Sequence, residues 1–181
     1  EPKFSLRGKY YPKRVILAVS RLSQEKNLPT IITAMTNVKD AVLVIVGDGP
    51  EKNNLKNMAK KLNISDRIFF EGWQEDLLSY YKTAHIFVQA SSFEGYGLAI
   101  VEAAMCGLPS ISTSTGVSED FEEIAKAKNA NEFAERINYL LSHETERIEL
   151  GKKLMDALKI NTKEEFLVKL KENWEQTAKN K

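Results

Sequence analysis

The chain has 181 residues, 43% hydrophobic and 28% charged, with a formal net charge of +1. That length fits one domain of about 150 residues plus a short appendage, with enough chain for a real core. Near-neutrality excludes a strongly cationic nucleic-acid binder and an acidic disordered tail as whole-chain readings. The single cysteine, Cys106, excludes an intrachain disulfide framework and a cysteine-built zinc site. No apolar run reaches the roughly 18 residues of a membrane span, and no charged-apolar-small leader opens the chain.

Residues 1–13 carry Pro2, Gly8 and Pro12 among several charges and read as a linker. The start at Glu1 instead of Met suggests a processed chain or a piece of a longer one. Short apolar runs then recur at Val15–Val19, Ala41–Val46, Arg67–Phe70, Ile86–Gln89 and Pro109–Ser112. They are rich in Val, Ile and Phe and do not alternate, the pattern of strands buried on both faces. Helix-like stretches separate them at Leu28–Met35, Glu51–Leu62, Asp76–Ala84 and Leu98–Met105. Strand and helix in alternation predict βαβ units. The fold expected is therefore α/β, a Rossmann-like doubly wound parallel sheet of five or six strands with helices on both faces. Glu122–Ala127 reads equally as a sixth edge strand or a helix. Three further helices follow at Ala130–Ser142, near Thr145–Leu158, and from Thr162 to about Ala178. Asn129 and Glu132 form a capping-box pattern at the first, and Phe166, Leu170 and Trp174 lay an apolar stripe on the last.

Ligands of open parallel sheets bind outside the carboxyl ends of the strands, so the loops there carry the chemistry. After the first strand, Arg21 and Lys26 stand five residues apart; they hold a diphosphate or are two solvated surface charges. After the second, Gly47-Asp-Gly-Pro-Glu-Lys52 starts like a glycine-rich dinucleotide fingerprint, but Lys52 takes the place of its last glycine. A tight turn is the simpler reading, and nicotinamide binding is disfavoured. After the third, Trp73 either offers a face to a nucleobase or packs on the next helix.

The segment after the fourth strand, Ser92-Phe-Glu-Gly-Tyr-Gly-Leu, is the most informative. Gly95 and Gly97 allow close backbone approach to a ligand. The helix opening at Leu98 aims free N–H groups and a positive dipole end at an anion. From Gly95 to Ser118 the only charge is Glu102. Its helix is apolar all round, so Glu102 is expected to be a buried carboxylate leaning toward the helix start, where it suits two neighbouring sugar hydroxyls. Its alternative is a core ion pair. Glu94, on the loop, suits a second sugar or is a turn charge. No Asp-x-Asp pair is present, so no metal is expected. His85, His143 and Cys106 read as structural.

Taken in order, Arg14–Lys26, Val44–Pro50, Ile68–Trp73 and Ser92–Pro109 resemble the C-terminal domain of retaining, group 1 glycosyltransferases of GT-B architecture. Glu94 and Glu102 match that family's E-x7-E signature. The resemblance spans about Arg14 to Leu141, and it departs where Ser20 and Asn27 replace glycines and where the usual glycine-rich strand after Glu119 is not evident.

The resemblance implies a nucleotide-sugar-binding domain at 14–160, a linker remnant at 1–13 and a crossover helix at 161–181. It implies that Arg21 and Lys26 hold the diphosphate, and that Gly95, Tyr96, Gly97 and Leu98 touch phosphate and sugar. Glu102 would take the ribose, Glu94 the donor sugar, and Trp73 with Gly47 would line the nucleotide site. It implies that the sugar would pass to an acceptor hydroxyl with retention, without cofactor or metal, and that the acceptor, a glycan or lipid, would be held by a separate N-terminal domain. No nucleic acid is expected, and localisation is expected to be cytoplasmic. Lys163, Lys169, Lys171 and Lys179 beside the last apolar stripe read first as the solvated face of a helix docked by that stripe, with peripheral membrane contact as the alternative. Two alternatives stay open: an epimerase-like enzyme on the same fold and a non-catalytic nucleotide-sugar-binding subunit.

Overall fold

Six strands form one sheet: β1 (Arg14–Val19), β2 (Ala41–Val46), β3 (Ile68–Gly72), β4 (Ile86–Gln89), β5 (Ser110–Ser112) and β6 (Ala125–Lys126). The computed structural model describes residues 1–161; the last expected helix, its apolar stripe and its lysines lie outside the described residues. Every pairing is parallel and the order is β3-β2-β1-β4-β5-β6. The chain winds outward from β1 in one direction, then returns and winds outward from β4 in the other. β1 and β4 are neighbours, so the topological switch point falls between them.

The helices are α1 (Leu6–Tyr10), α2 (Leu28–Ala34), α3 (Lys52–Lys61), α4 (Leu77–Thr83), α5 (Leu98–Met105), α6 (Ala130–Ser142) and α7 (Glu144–Asn161). They cover both faces because each strand feeds both. Ile16, Leu43 and Ile45 point to a core with Ile31, Leu55, Phe133 and Ile137 from α2, α3 and α6. Leu17, Val42 and Val44 point to the other, with Leu6, Tyr81, Ala103 and Leu154 from α1, α4, α5 and α7. The continuous apolar runs of the sequence are the trace of this two-faced burial.

The ambiguous stretch at 122–127 contains the sixth strand, only two residues long, paired to β5 through Ile111 and Ala125. The amino-terminal segment is more than an extended linker. Helix α1 buries Leu6 completely, worth about 2 kcal/mol, which a five-residue helix needs because it is marginal alone. Lys9 and Tyr10 also donate to Glu71 of β3 at 2.8 and 3.0 Å.

Candidate functional site

The carboxyl ends of β1 and β4 send their loops into contact. Glu25, after β1, accepts from the Ser92 N–H, after β4, at 2.8 Å. Beside this tie Lys26 meets Glu94: Nζ donates to both carboxylate oxygens at 2.9 Å. Both side chains are mostly covered, at 20% and 10% exposure, so water screens the pair only in part. Ser91 Oγ donates to Glu94 Oε1 at 2.6 Å and fixes the carboxylate from the other side. Two of the residues expected to work on a bound donor thus face each other across the switch point.

Beside this pair lies a cleft of about 470 Å³ lined by Ser20, Arg21, Gly47, Asp48, Trp73 and Ala99, among others. It gathers the ends of β1, β2 and β3 and the first turn of α5. Arg21 is exposed and makes no ion pair among the described residues. Trp73 is 69% exposed, so it is a rim residue with a free face and does not pack down on α4. Ser20 Oγ is buried here with no hydrogen-bond partner among the described residues. Gly47 is dictated by close approach: at φ 126°, a Cβ would stand 2.0 Å from the Ser20 carbonyl oxygen. The glycine therefore shapes the cleft floor by letting the β2 turn close on the β1 loop. The incomplete dinucleotide fingerprint is this turn.

Gly95, Tyr96, Gly97 and Leu98 form the turn into α5. Gly97 is the left-handed N-cap (φ 98°), and its carbonyl accepts from the Ile100 N–H at 3.1 Å. The N–H groups of Leu98 and Ala99, ahead of that bond, have no intrahelical partner. The Tyr96 carbonyl accepts from the Val117 N–H at 2.7 Å, so the segment Gly116–Asp120 buttresses this turn from behind. Lys126 in turn donates to the carbonyls of Ser118 and Phe121 and holds that segment to β6.

Glu102 departs from expectation. It is exposed, not buried, and so are Leu98 at 67% and Met105 at 63%. Ile100, Ala103 and Ala104 face the core, whereas the opposite face of α5 is uncovered by the described residues. An all-apolar composition does not say which side a helix buries. Glu102 is nevertheless oriented. Tyr81 of α4, itself almost fully buried, donates its hydroxyl to Oε2 at 2.8 Å. Burial first, and then the bond to Glu102, raise the Tyr81 hydroxyl well above its usual range, so it stays a protonated donor.

Sequence reasoning missed Tyr81, Ser91 and Ala99, and met Ser20 only as a replacement for a glycine. Ser91 has a faint local signal, a hydroxyl three residues before an acid. Tyr81 lies 21 residues from Glu102 and has none. Among the described residues, no three His, Cys, Asp or Glu side chains cluster to hold a metal, and no helix is long and apolar enough to cross a membrane.

A doubly wound parallel sheet with helices on both faces and a cleft at the carboxyl ends of its strands defines a Rossmann-like α/β domain of the kind found in GT-B proteins. Residues 3–175 match the family described as Glycosyl transferases group 1, and the chain belongs to that family. It is 34% identical over 99 residues to the lipopolysaccharide core biosynthesis glycosyltransferase LpsE of Rhizobium meliloti, over 55% of this chain and 29% of the relative. It is 38% identical over 105 residues to the alpha-monoglucosyldiacylglycerol synthase of Streptococcus pneumoniae, over 55% of this chain and 24% of the relative. The matches thus span less than a third of the length of these relatives. Among solved structures, Anabaena HepE in complex with UDP-glucose shares the fold. Its TM-score is 0.82 at 20% identity, covering 97% of this chain and 51% of that one.

Proposed function

We propose that the chain is the donor-binding half of a glycosyltransferase that moves a sugar from a nucleoside diphosphate sugar to an acceptor hydroxyl with retention. The observation that carries this reading is the meeting of Lys26 and Glu94 at the switch point, beside a cleft rimmed by Trp73. Family membership supports the same chemistry.

In this reading the nucleobase stacks on Trp73 and the ribose hydroxyls donate to Glu102, whose Oε1 is left open by the Tyr81 bond to Oε2. The diphosphate sits over the first turn of α5, where the amides of Gly95–Leu98 and the helix dipole favour negative charge. Arg21 and Lys26 neutralise the charge that builds on the departing diphosphate, without a metal. Glu94 is released from Lys26 as the phosphate takes that cation, and its carboxylate turns to the hydroxyls of the donor sugar. The acceptor, a glycan or a lipid in keeping with the names of the two relatives, is held by a separate domain. Cytoplasmic localisation, with peripheral membrane contact for a lipid acceptor, belongs to the same proposal.

Calorimetric titration with UDP-, GDP- and ADP-sugars tests this reading. One series should bind saturably and lose about tenfold or more in affinity in Lys26→Ala, the size of a charged hydrogen bond. No binding by any series at millimolar concentration would contradict it.

A further inference from the structure

The opposite edge of the sheet, at the amino ends of β4 and β5, carries a second polar cavity of about 220 Å³. Its lining includes Arg7, Lys82, His85, Glu144 and Arg147, three cations and a histidine against one carboxylate. Donors and charge both point the same way. The Val15 N–H donates to His85 Nδ1 at 3.0 Å inside the sheet, which places the ring proton of the neutral imidazole on Nε2. His85 is 6% exposed, lines the cavity, and has no bond at Nε2 among the described residues. It presents a single oriented donor.

Arg147 is 4% exposed and donates to the Leu140 carbonyl and to Glu144. Arg7 donates to the Thr83 and Ala84 carbonyls at the end of α4. A guanidinium has five N–H donors, so each arginine keeps several to spare. Glu144 is the one competing anion; its side chain is 60% exposed, so it can swing off Arg147 into water. Burial, and then the nearby positive charges of Arg7, Arg147 and Arg14, push the His85 pKa down to about 3. The imidazole is therefore a neutral donor at ordinary pH, in a region where positive charge is in excess.

We propose that this cavity binds a phosphate group, as inorganic phosphate or a small phosphomonoester, through His85 Nε2–H, Arg147, Arg7 and Lys82. Several convergent donors, two of them planar forks, suit a tetrahedral oxyanion better than a single carboxylate. The site is separate from the donor cleft. His85 precedes β4 and Glu94 follows it, so the length of the strand lies between them.

Side-chain NMR of His85 in the whole chain tests this directly, with His85→Gln identifying its signals. At fixed pH and ionic strength, inorganic phosphate and glycerol 3-phosphate are titrated separately, with chloride as the control. A saturable shift of His85 with either one, absent with chloride, supports the site and tells free from esterified phosphate. Lys82→Ala should weaken the midpoint about threefold, and Glu144→Gln should tighten it by a similar factor, since each removes one exposed charge contact. Both positions are exposed, so these variants leave the core intact. Absence of a saturable His85 shift with both ligands overturns the proposal. So does an equal shift with chloride, or a midpoint that neither variant moves.

Discussion

Lys26 and Glu94 neutralise each other, and this sets what each does next. A diphosphate arriving at the switch point competes with Glu94 for Lys26, so Glu94→Gln should raise the affinity for the bare nucleoside diphosphate about two- to fivefold. The same variant should weaken discrimination for the sugar-bearing donor, and calorimetry of both ligands reads the two effects apart. Tyr81→Phe removes the bond that orients Glu102 and should cost about fivefold in nucleotide affinity with little change in stability, because the ring still fills its site. The candidate residues were legible because glycines and charges punctuate an otherwise apolar stretch. The pairing of Lys26 with Glu94 was not, since it joins loops 68 residues apart and follows from strand order alone. Nor was the exposure of Glu102, because composition reports how apolar a helix is and not which neighbour covers it.

Elements meet most closely where glycines let backbones touch. Gly47→Ala would drive a Cβ into the Ser20 carbonyl and should destabilise the chain by about 2–4 kcal/mol in urea denaturation, reshaping the cleft as well. Gly151 lies inside α7, where replacement by alanine ordinarily stabilises a helix by nearly 1 kcal/mol. Here its Cβ would lie 2.2 Å from the Gly107 carbonyl oxygen in the turn before β5, so Gly151→Ala should destabilise instead. The same denaturation series checks the sign. The bounds of α6 follow from sequence because periodicity and capping agree there, and those of α5 because Gly97 and Gly107 bracket an apolar run. The β6 strand does not, because two residues carry no period, and only pairing with β5 defines them. Helix α1 has one local sign, the Ser5 cap that accepts from the Gly8 N–H; the burial of Leu6 and the bonds to Glu71 that hold it are not local in sequence.

At the scale of the whole molecule, the order β3-β2-β1-β4-β5-β6 brings the β1 and β4 loops together, and it makes the two ends of the sheet chemically different. The amino end holds His85 neutral. Its folded pKa of about 3 lies below the unfolded value of 6.5, so its contribution to stability is complete above pH 6.5 and is lost as pH falls toward 3. Each pH unit in that window should cost up to about 1.4 kcal/mol. Denaturation midpoints across the window, compared with His85→Gln, isolate this part: the variant should show a shallower decline. The carboxyl end holds the proposed donor site, and its central claim is that Glu102 reads the ribose of a nucleoside diphosphate. The most direct measurement is a calorimetric cycle that pairs the best-binding nucleoside diphosphate and its 2′,3′-dideoxy analogue with the native chain and Glu102→Ala. The account predicts that loss of the hydroxyls weakens binding about tenfold to the native chain and hardly at all to the variant. Equal losses in both proteins would contradict it.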